Sequence, residues 1–236
     1  MEMPVRRGLA ALLSATVLSA SGLAALAGCS DTGKSPVDPA EALANAKTSL
    51  DETTGVQLDL ATEELPDGVD GLKEATGVGT HAPAFKGDVV LLVNGLSLKV
   101  PVVAVDGLVY AQLPFTTEFA EIDPAEYGAP DPAQLMEPAT GISSWLTEVS
   151  DVEEGDRVRD GDAVLTSYSG TLAGETVVDS IPSADESASF PVTFHITDDG
   201  ELASVDISGP FYGEGGDVDY TIELTGYGTD EDISAP

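Results

Sequence analysis

The residue with the clearest chemical assignment is Cys29, the single cysteine of the chain. It follows Leu26-Ala27-Gly28, and the small residues Ala27 and Gly28 suit a peptide bond that a peptidase must reach. This motif matches the bacterial lipobox, in which the cysteine thiol takes a diacylglyceryl group before cleavage. A lone cysteine forms no internal disulfide, and a free thiol is a liability in an oxidising compartment. We therefore predict that Cys29 is the lipidation site. The alternative is an ordinary secretory signal with a chance cysteine.

The residues before Cys29 have the organisation of an export signal. Arg6 and Arg7 make the N-terminal region basic, and residues 9–26 are apolar or small and carry no charge. Such a run is typical of a cleavable signal rather than of a membrane span. The Arg6-Arg7 pair leaves both the general secretory route and the twin-arginine route open.

These features predict three parts of the chain. They are a signal peptide over residues 1–28, a lipid-anchored tether over residues 29–36 and a folded domain over residues 37–236. Two or three acyl chains such as palmitate hold a protein stably at a bilayer. The predicted location is therefore the outer face of the cell membrane, within the cell envelope.

The charge of the chain limits the classes of partner that it can bind. Asp and Glu number 42 against 9 Lys and Arg, which gives a formal net charge of −33. Such a chain repels nucleic-acid phosphates, so we predict no nucleic-acid partner. The acidic residues are scattered, which is typical of a solvated acidic surface.

The remaining reactive residue types do not form a catalytic or metal-binding pattern. His81 and His195 have no partner histidine at metal-ligand spacing. Residues 167–170 (Ser-Tyr-Ser-Gly) lack the Gly-x-Ser-x-Gly turn of a serine nucleophile and fit a strand. Acidic pairs such as Asp198-Asp199 lack the spacing of a calcium loop. We therefore predict that the protein is not an enzyme and holds no metal or cofactor.

The elements that position these residues are strands and a few helices. Asp38 and Pro39 favour a helix that runs to about Asp51. From Thr54 the apolar residues alternate, and Asn94-Gly95 is a strong hairpin signal. Predicted strands cover residues 85–93, 96–105, 108–113, 152–158, 163–172, 191–197, 202–208 and 217–226, and further helices cover residues 131–136 and 141–149. The pattern predicts an α+β fold, a single antiparallel sheet whose apolar face is covered by the three helices.

The apolar face is the candidate binding site, because a curved sheet only partly filled by helices leaves a pocket that suits acyl chains. The alternation predicts these lining residues: Val56, Leu58, Leu60, Leu91, Val93, Val109, Ala111, Trp145, Val205 and Ile207. A slip of one residue would turn each strand to its other face. A plain packed core uses the same residues and remains the alternative.

Several short stretches together resemble a known family. They are Lys86-Gly87, residues 93–101, residues 105–111, Asp131-Pro132, Glu137-Pro138, Gly141-Ile142, residues 169–171, Ile181-Pro182 and residues 191–194. In this order, and with the lipobox, the chain resembles the actinobacterial LppX/LprG lipoprotein family. The resemblance implies a half-barrel sheet whose helices close the concave side around a large hydrophobic cavity. It also implies a carrier of acylated glycolipids or lipoglycans, with Cys29 as the only site residue to carry over.

Two functions follow as expectations. The first is a membrane-anchored carrier of acylated lipid or glycolipid cargo, which could work with a membrane transporter. The second is a structural or partner-docking envelope lipoprotein with a solid core and no lipid cargo. A cavity well beyond about 1,000 Å³ would favour the carrier, because it exceeds an ordinary small-molecule site. The acidic composition argues against an anionic inositol-phosphate head group near the cavity mouth.

Overall fold

The computed structural model describes residues 38–236 apart from residue 162. The predicted signal peptide, the tether and Cys29 lie outside the described residues. The helices are α1 (Pro39–Glu52), α2 (Ile142–Glu148) and α3 (Gly174–Ser180), and short 3-10 turns occupy Pro124–Tyr127, Gln134–Met136 and Gly213–Gly215. The strands are β1 (Gly55–Ala61), β2 (Gly71–Thr80), β3 (Ala84–Val93), β4 (Leu96–Val105), β5 (Leu108–Ala111), β6 (Ala120–Ile122), β7 (Ser150–Asp160), β8 (Ala163–Ala173), β9 (Ser189–Thr197), β10 (Leu202–Gly209) and β11 (Val218–Thr225).

All these strands belong to one curved, open sheet in the order β6-β5-β4-β3-β2-β1-β11-β10-β9-β8-β7. Every neighbouring pair is antiparallel. Asn94 and Gly95 have φ angles of 51° and 77°, so the β3–β4 turn has the two positive φ angles of a type I′ hairpin. This turn sets a register that runs without interruption from Val93 opposite Leu96 to Ala84 opposite Val105. The predicted single antiparallel sheet is confirmed.

The three helices cover the half of the concave face formed by the later strands. The Asp38 side chain accepts a hydrogen bond from the Ala40 amide at 2.9 Å and so caps α1, as predicted. Helix α1 packs against α2, β7 and β10, and α3 packs against β8 and β9. Leu43, Ala46 and Leu50 of α1 are at most 1% exposed in the main core cluster. Covering this half removes most of its apolar surface from water, which stabilises the domain.

One sequence prediction about helices was wrong, and one helix was missed. Residues 131–136 do not form a helix: only Gln134–Met136 is helical, as a single 3-10 turn, because Pro138 favours an extended conformation of the preceding Glu137, whose φ and ψ angles are −71° and 119°. The third helix is instead α3, which the sequence analysis left unassigned. Its short, glycine-started segment gives a weak helical pattern.

Strand β2 was also missed, because glycines interrupt its alternation. A Cβ atom on Gly77 would clash with the Lys86 carbonyl oxygen, and one on Gly87 would clash with the Thr76 carbonyl oxygen. The tip of the Phe85 ring lies within 2.9 Å of both of these Cβ positions. These glycines therefore let β2 and β3 approach closely beneath an aromatic ring.

Two tyrosines complete the hydrogen bonding of an irregular stretch of β2. The β2–β3 register shifts between Leu72 and Glu74. The Leu72 amide donates to the Tyr212 hydroxyl at 3.0 Å, and the Tyr220 hydroxyl donates to the Leu72 carbonyl. The two hydroxyls lie 2.8 Å apart. The loop between β10 and β11 is thereby fastened to β2.

We predict that this tyrosine pair makes the domain sensitive to alkali. Burial raises the pKa of both the Tyr220 and the Tyr212 hydroxyl above the ordinary 10.0. Because the folded state holds these protons more tightly, their stabilisation is complete below about pH 10 and is lost as the pH rises above it. Urea unfolding followed between pH 8 and 11 measures this loss.

The variant Tyr220→Phe should lose about 1–3 kcal/mol of unfolding free energy at pH 8, because it leaves the Leu72 carbonyl without its donor. It should also lose less of its unfolding free energy than the parent chain does as the pH rises above about 10. Tyr110→Phe on β5 is the matched control and should change neither. An alkaline profile identical in Tyr220→Phe and the parent chain would contradict this assignment.

Candidate functional site

The ten residues predicted to line a cavity lie together on the concave side of the sheet. Val56, Leu58 and Leu60 are on β1, Leu91 and Val93 on β3, Val109 and Ala111 on β5, Trp145 on α2, and Val205 and Ile207 on β10. Nine of them are at most 7% exposed in one core cluster, and half-buried Val93 packs against it. They are therefore in one apolar layer, and their contact with a ligand stays a prediction.

The apolar pocket in this layer lies between the first half of the sheet and the chain that follows β6. Leu91 and Val109, two of the predicted residues, line it. The other lining residues are Leu72, Ala75, Val89, Val102, Ile122, Pro124, Tyr127, Ala129, Pro130, Pro132 and Leu135. None of the thirteen carries a charge, so the walls suit hydrocarbon rather than a polar ligand.

This pocket is almost closed. Its volume is about 30 Å³, whereas a cavity needs about 10–15 Å³ to hold one water molecule. It therefore cannot hold an acyl chain without rearrangement, and it is far smaller than the cavity volume expected of a loaded carrier.

The wall opposite the strands is residues 123–138, which we call the covering segment. The 3-10 turns at Pro124–Tyr127 and Gln134–Met136 lie within it. In the described chain, the hydrogen bonds of residues 123–135 stay within the segment, for example from the Ala129 amide to the Pro124 carbonyl at 3.1 Å. Apolar contact alone therefore holds this part of the segment on the sheet.

The end of the covering segment is tied more firmly. Met136 sits over Gly79, where an added Cβ atom would lie 2.6 Å from the Met136 Cγ atom. The His81 Nδ1 atom lies 3.0 Å from the Met136 carbonyl oxygen. The Lys47 ammonium of α1 donates to the Pro138 carbonyl at 2.9 Å. The segment therefore has a fixed end at residues 136–138 and a more weakly held part over the pocket.

An open groove of about 350 Å³ adjoins the closed pocket. The two share a wall of Val109, Ile122, Pro124, Ala129 and Pro130. The groove therefore lies directly against the closed pocket, on the side of the covering segment.

The outer side of the covering segment is acidic. A cleft of about 600 Å³ is lined by Asp106, Asp131, Glu137 and Asp179 among other residues. Burial raises the pKa of the Asp131 carboxyl, although its hydrogen bond from the Ala133 amide acts in the opposite direction. A negative ligand group would meet uncompensated negative charge here.

The convex face of the sheet carries polar side chains along its later strands, where His195 and Ser167 contact hydrogen-bond partners. The His195 Nε2 atom lies 3.0 Å from one Asp206 carboxylate oxygen, and the Thr221 hydroxyl donates to the other at 2.6 Å. The Ser167 hydroxyl donates to the Asp156 carbonyl at 3.1 Å. Within the described residues, no group of three or more His, Cys, Asp or Glu side chains is arranged to hold a metal ion.

Sequence comparison places the whole domain in a known group. A sequence profile of the LppX_LprAFG lipoprotein family matches residues 38–235. The chain belongs to this family. Lipoarabinomannan carrier protein LprG of Mycobacterium tuberculosis (strain ATCC 25618 / H37Rv) is 29% identical to it over 222 residues, which cover 89% of this chain and 90% of the relative. LprG of Mycobacterium bovis (strain ATCC BAA-935 / AF2122/97) gives the same values.

Solved structures of family members share the fold. LprF from Mycobacterium bovis superposes with a TM-score of 0.65 at 16% identity, over 84% of this chain and 96% of that one. Lipoprotein LppX from Mycobacterium tuberculosis gives a TM-score of 0.60 at 15% identity, over 83% and 98% of the two chains. The family resemblance and the fold expected from the sequence are thereby confirmed.

All six pocket residues on the covering segment were missed by the sequence analysis. The signal available was proline, at positions 124, 130, 132 and 138 within sixteen residues. Proline keeps a chain from forming a helix and offers a rigid apolar surface. Such a segment can cover the apolar face of a sheet without forming hydrogen bonds to the strands.

We predict that the Met136 contact holds the covering segment closed. Gly79→Val places methyl groups where the Met136 side chain lies, so residues 123–138 should exchange amide hydrogens faster, by about tenfold for each 1.4 kcal/mol of lost closure. Glu74→Val adds an apolar side chain at an exposed site of the same strand and is the control. Equal exchange in both variants would show that Met136 does not hold the segment.

Proposed function

We propose that this protein is a membrane-anchored lipoprotein that carries acylated lipids or glycolipids across the cell envelope. The observation that carries the proposal is the uncharged pocket beneath the covering segment. The family relation adds support, because LprG is named a lipoarabinomannan carrier. Proposed cargo chains enter by the adjoining groove and displace residues 123–135 from β2–β5.

The energetics of opening support this route. Separating residues 123–135 from the sheet exposes apolar surface but breaks no hydrogen bond to it. An acyl chain that replaces the segment covers the same surface again, at about 0.8 kcal/mol for each buried CH₂ group. A chain of many methylene groups therefore compensates the cost of opening.

The acidic cleft favours cargo with an uncharged head group. Asp106, Asp131, Glu137 and Asp179 lie on the outer side of the segment that the chains displace. A phosphate held there would lack a positive partner, which is costly in a partly buried site. We propose neutral acylglycerols or neutral glycolipids as cargo in preference to phosphoinositides.

The proposed attachment is through acyl chains on Cys29, after removal of residues 1–28. No helix in the described part of the chain is long and apolar enough to cross a membrane. The tether would span at most about 30 Å, at 3.3–3.6 Å for each residue. The domain would therefore stay within reach of the bilayer from which it takes lipid.

The alternative function is a partner-docking envelope lipoprotein with a solid core. This alternative is favoured by the small volume of the pocket, about 30 Å³ while the covering segment lies on the sheet. The two functions differ in whether an acyl chain displaces the covering segment from the sheet.

Native mass spectrometry of the mature protein mixed with diacylglycerol or triacylglycerol distinguishes them. We predict complexes with neutral acylglycerols and weaker binding of phosphatidylinositol. The Ala75→Trp side chain is larger than the closed pocket, so it occupies the space that an acyl chain needs beneath the covering segment and should remove most of the lipid-bound signal. The Val89→Phe side chain occupies less of this space and should give an intermediate loss even if the larger variant folds poorly.

Ala61→Trp is the matched control, because Ala61 is exposed on the neighbouring strand β1. It should bind lipid as the parent chain does. A bare protein mass in the parent chain, with no uptake of any added lipid, would contradict the carrier and favour the solid core.

The anchor has a separate test. Expression of the full chain in a host that acylates lipoproteins should give a protein that floats with membranes and carries acyl groups on its N-terminal residue. Cys29→Ser should carry none, because the diacylglyceryl group forms its bond to the cysteine sulfur. Mass spectrometry of the N-terminal peptide identifies the acyl groups. An unmodified N-terminus at another residue would contradict the assignment of Cys29.

A further inference from the structure

A stretch of chain after β11 crosses the convex face of the sheet. We call this stretch, residues 226–236, the strap, and it forms neither helix nor strand. Tyr227, Thr229, Glu231 and Ile233 are half-buried, whereas the residues between them are exposed. Alternate burial is typical of an extended chain that lies with one side against the fold.

The first part of the strap is fixed by hydrogen bonds at the start of β1. The Thr229 amide donates to the Gly55 carbonyl at 3.2 Å, and the Thr54 hydroxyl donates to the Thr229 carbonyl at 2.9 Å. The Gly228 amide donates to the Thr53 hydroxyl at 2.7 Å. The strap therefore begins its path across the sheet from a fixed point beside β1.

The second part of the strap rests on β3 and β4 by weaker contacts. The Lys86 ammonium pairs with the Glu231 carboxylate at 2.7 Å. Ile233 packs against a small apolar cluster that is separate from the main core. This cluster consists of Ala84, Val103 and Val105. Because an exposed ion pair contributes little, the burial of Ile233 is the stronger of these two contacts.

The strap covers the convex side of the end of β2. Thr80, the last residue of β2, is opposite Gly55 on β1 and Ala84 on β3. A Cβ atom on Gly55 would lie 2.9 Å from the Thr229 carbonyl oxygen and 3.1 Å from the Thr80 Cγ2 atom. Ala84 belongs to the cluster beneath Ile233. Both neighbours of Thr80 are therefore in contact with the strap or lie beneath it, and Thr80 itself is buried.

The fixed end of the covering segment contacts the same stretch of β2 from the concave side. Gly79 lies under the Met136 side chain, and the His81 Nδ1 atom lies 3.0 Å from the Met136 carbonyl oxygen. These two residues flank Thr80 in the chain. Because the contact over Gly79 leaves no room for a Cβ atom, a small displacement of residues 79–81 disturbs it.

We infer that the strap holds the covering segment closed, because it fixes the end of β2 in the position that Met136 contacts. Strand ends and turns are the parts of a sheet that open most readily. When residues 230–236 leave the convex face, residues 79–81 gain freedom and the Met136 contacts weaken. Residues 123–138 then leave the sheet more often. The inference concerns the opening of the segment and is independent of what enters the pocket.

Amide hydrogen exchange of the mature protein without lipid tests this coupling. A stop after Thr229 removes residues 230–236, and residues 123–138 should then exchange roughly tenfold faster, the effect of losing one partly buried aliphatic side chain. A stop after Ile233 removes only exposed residues, so it is the matched control and should exchange as the parent chain does. Ile233→Ser keeps the full length and should also accelerate exchange, which provides the test if the shortened chain folds poorly.

A combined variant tests whether the effect passes through Met136. Gly79→Val already removes the Met136 contact, so adding Ile233→Ser to it should accelerate exchange of residues 123–138 no further. Additive effects of the two substitutions would show that the strap acts by another route and would overturn the inference.

Two further results would overturn the inference. The first is exchange of residues 123–138 at the parental rate in both the stop after Thr229 and Ile233→Ser. The second is acceleration of equal size throughout the domain, including α1–α3, because that would reflect a loss of global stability alone. Neither result depends on lipid uptake, so the inference and the proposed carrier function can fail separately.

Discussion

The structure depends on the need to cover one apolar face of an eleven-stranded open sheet. Every strand pairs with its neighbour, so backbone hydrogen bonding is satisfied between the two edge strands β6 and β7, but the concave side chains must still be removed from water. The chain does this in two ways. Helices α1, α2 and α3 pack over the later strands, and the proline-containing covering segment packs over β2–β5.

The two covers differ in how firmly they are held, and the proposed function follows from that difference. Helix α1 is fastened to the end of the covering segment by the Lys47 ammonium, which also pairs with Asp51 at 2.9 Å. Residues 123–135 instead rest on the sheet by apolar contact. A hydrocarbon chain can compete with such contact on equal terms, whereas it cannot replace a hydrogen bond. The region over the closed pocket is therefore where, in the proposed function, acyl chains of a lipid replace side chains of the covering segment.

Much of the fold was predictable from the sequence, because alternation and turn residues act locally. The hairpin predicted at Asn94-Gly95 and the helix cap predicted at Asp38 are both confirmed. Strand β2 was not predictable, since the roles of Gly77 and Gly87 depend on a neighbouring strand and on the Phe85 ring. The concave layer was identified, but the volume of its pocket was not. That volume depends on how the prolines of the covering segment pack against the sheet. The alternation of apolar residues along a strand carries no information about this packing.

We propose that acyl chains enter the concave layer by displacing residues 123–135. Photo-crosslinking of the mature protein with a diacylglycerol that carries a diazirine on one acyl chain tests this entry. We expect adducts on residues that line the closed pocket, such as Ala75, Val89 and Leu135, and competition by unlabelled lipid. Adducts confined to outward-facing residues such as Thr76 and Asp88, or adducts that unlabelled lipid does not reduce, would contradict it.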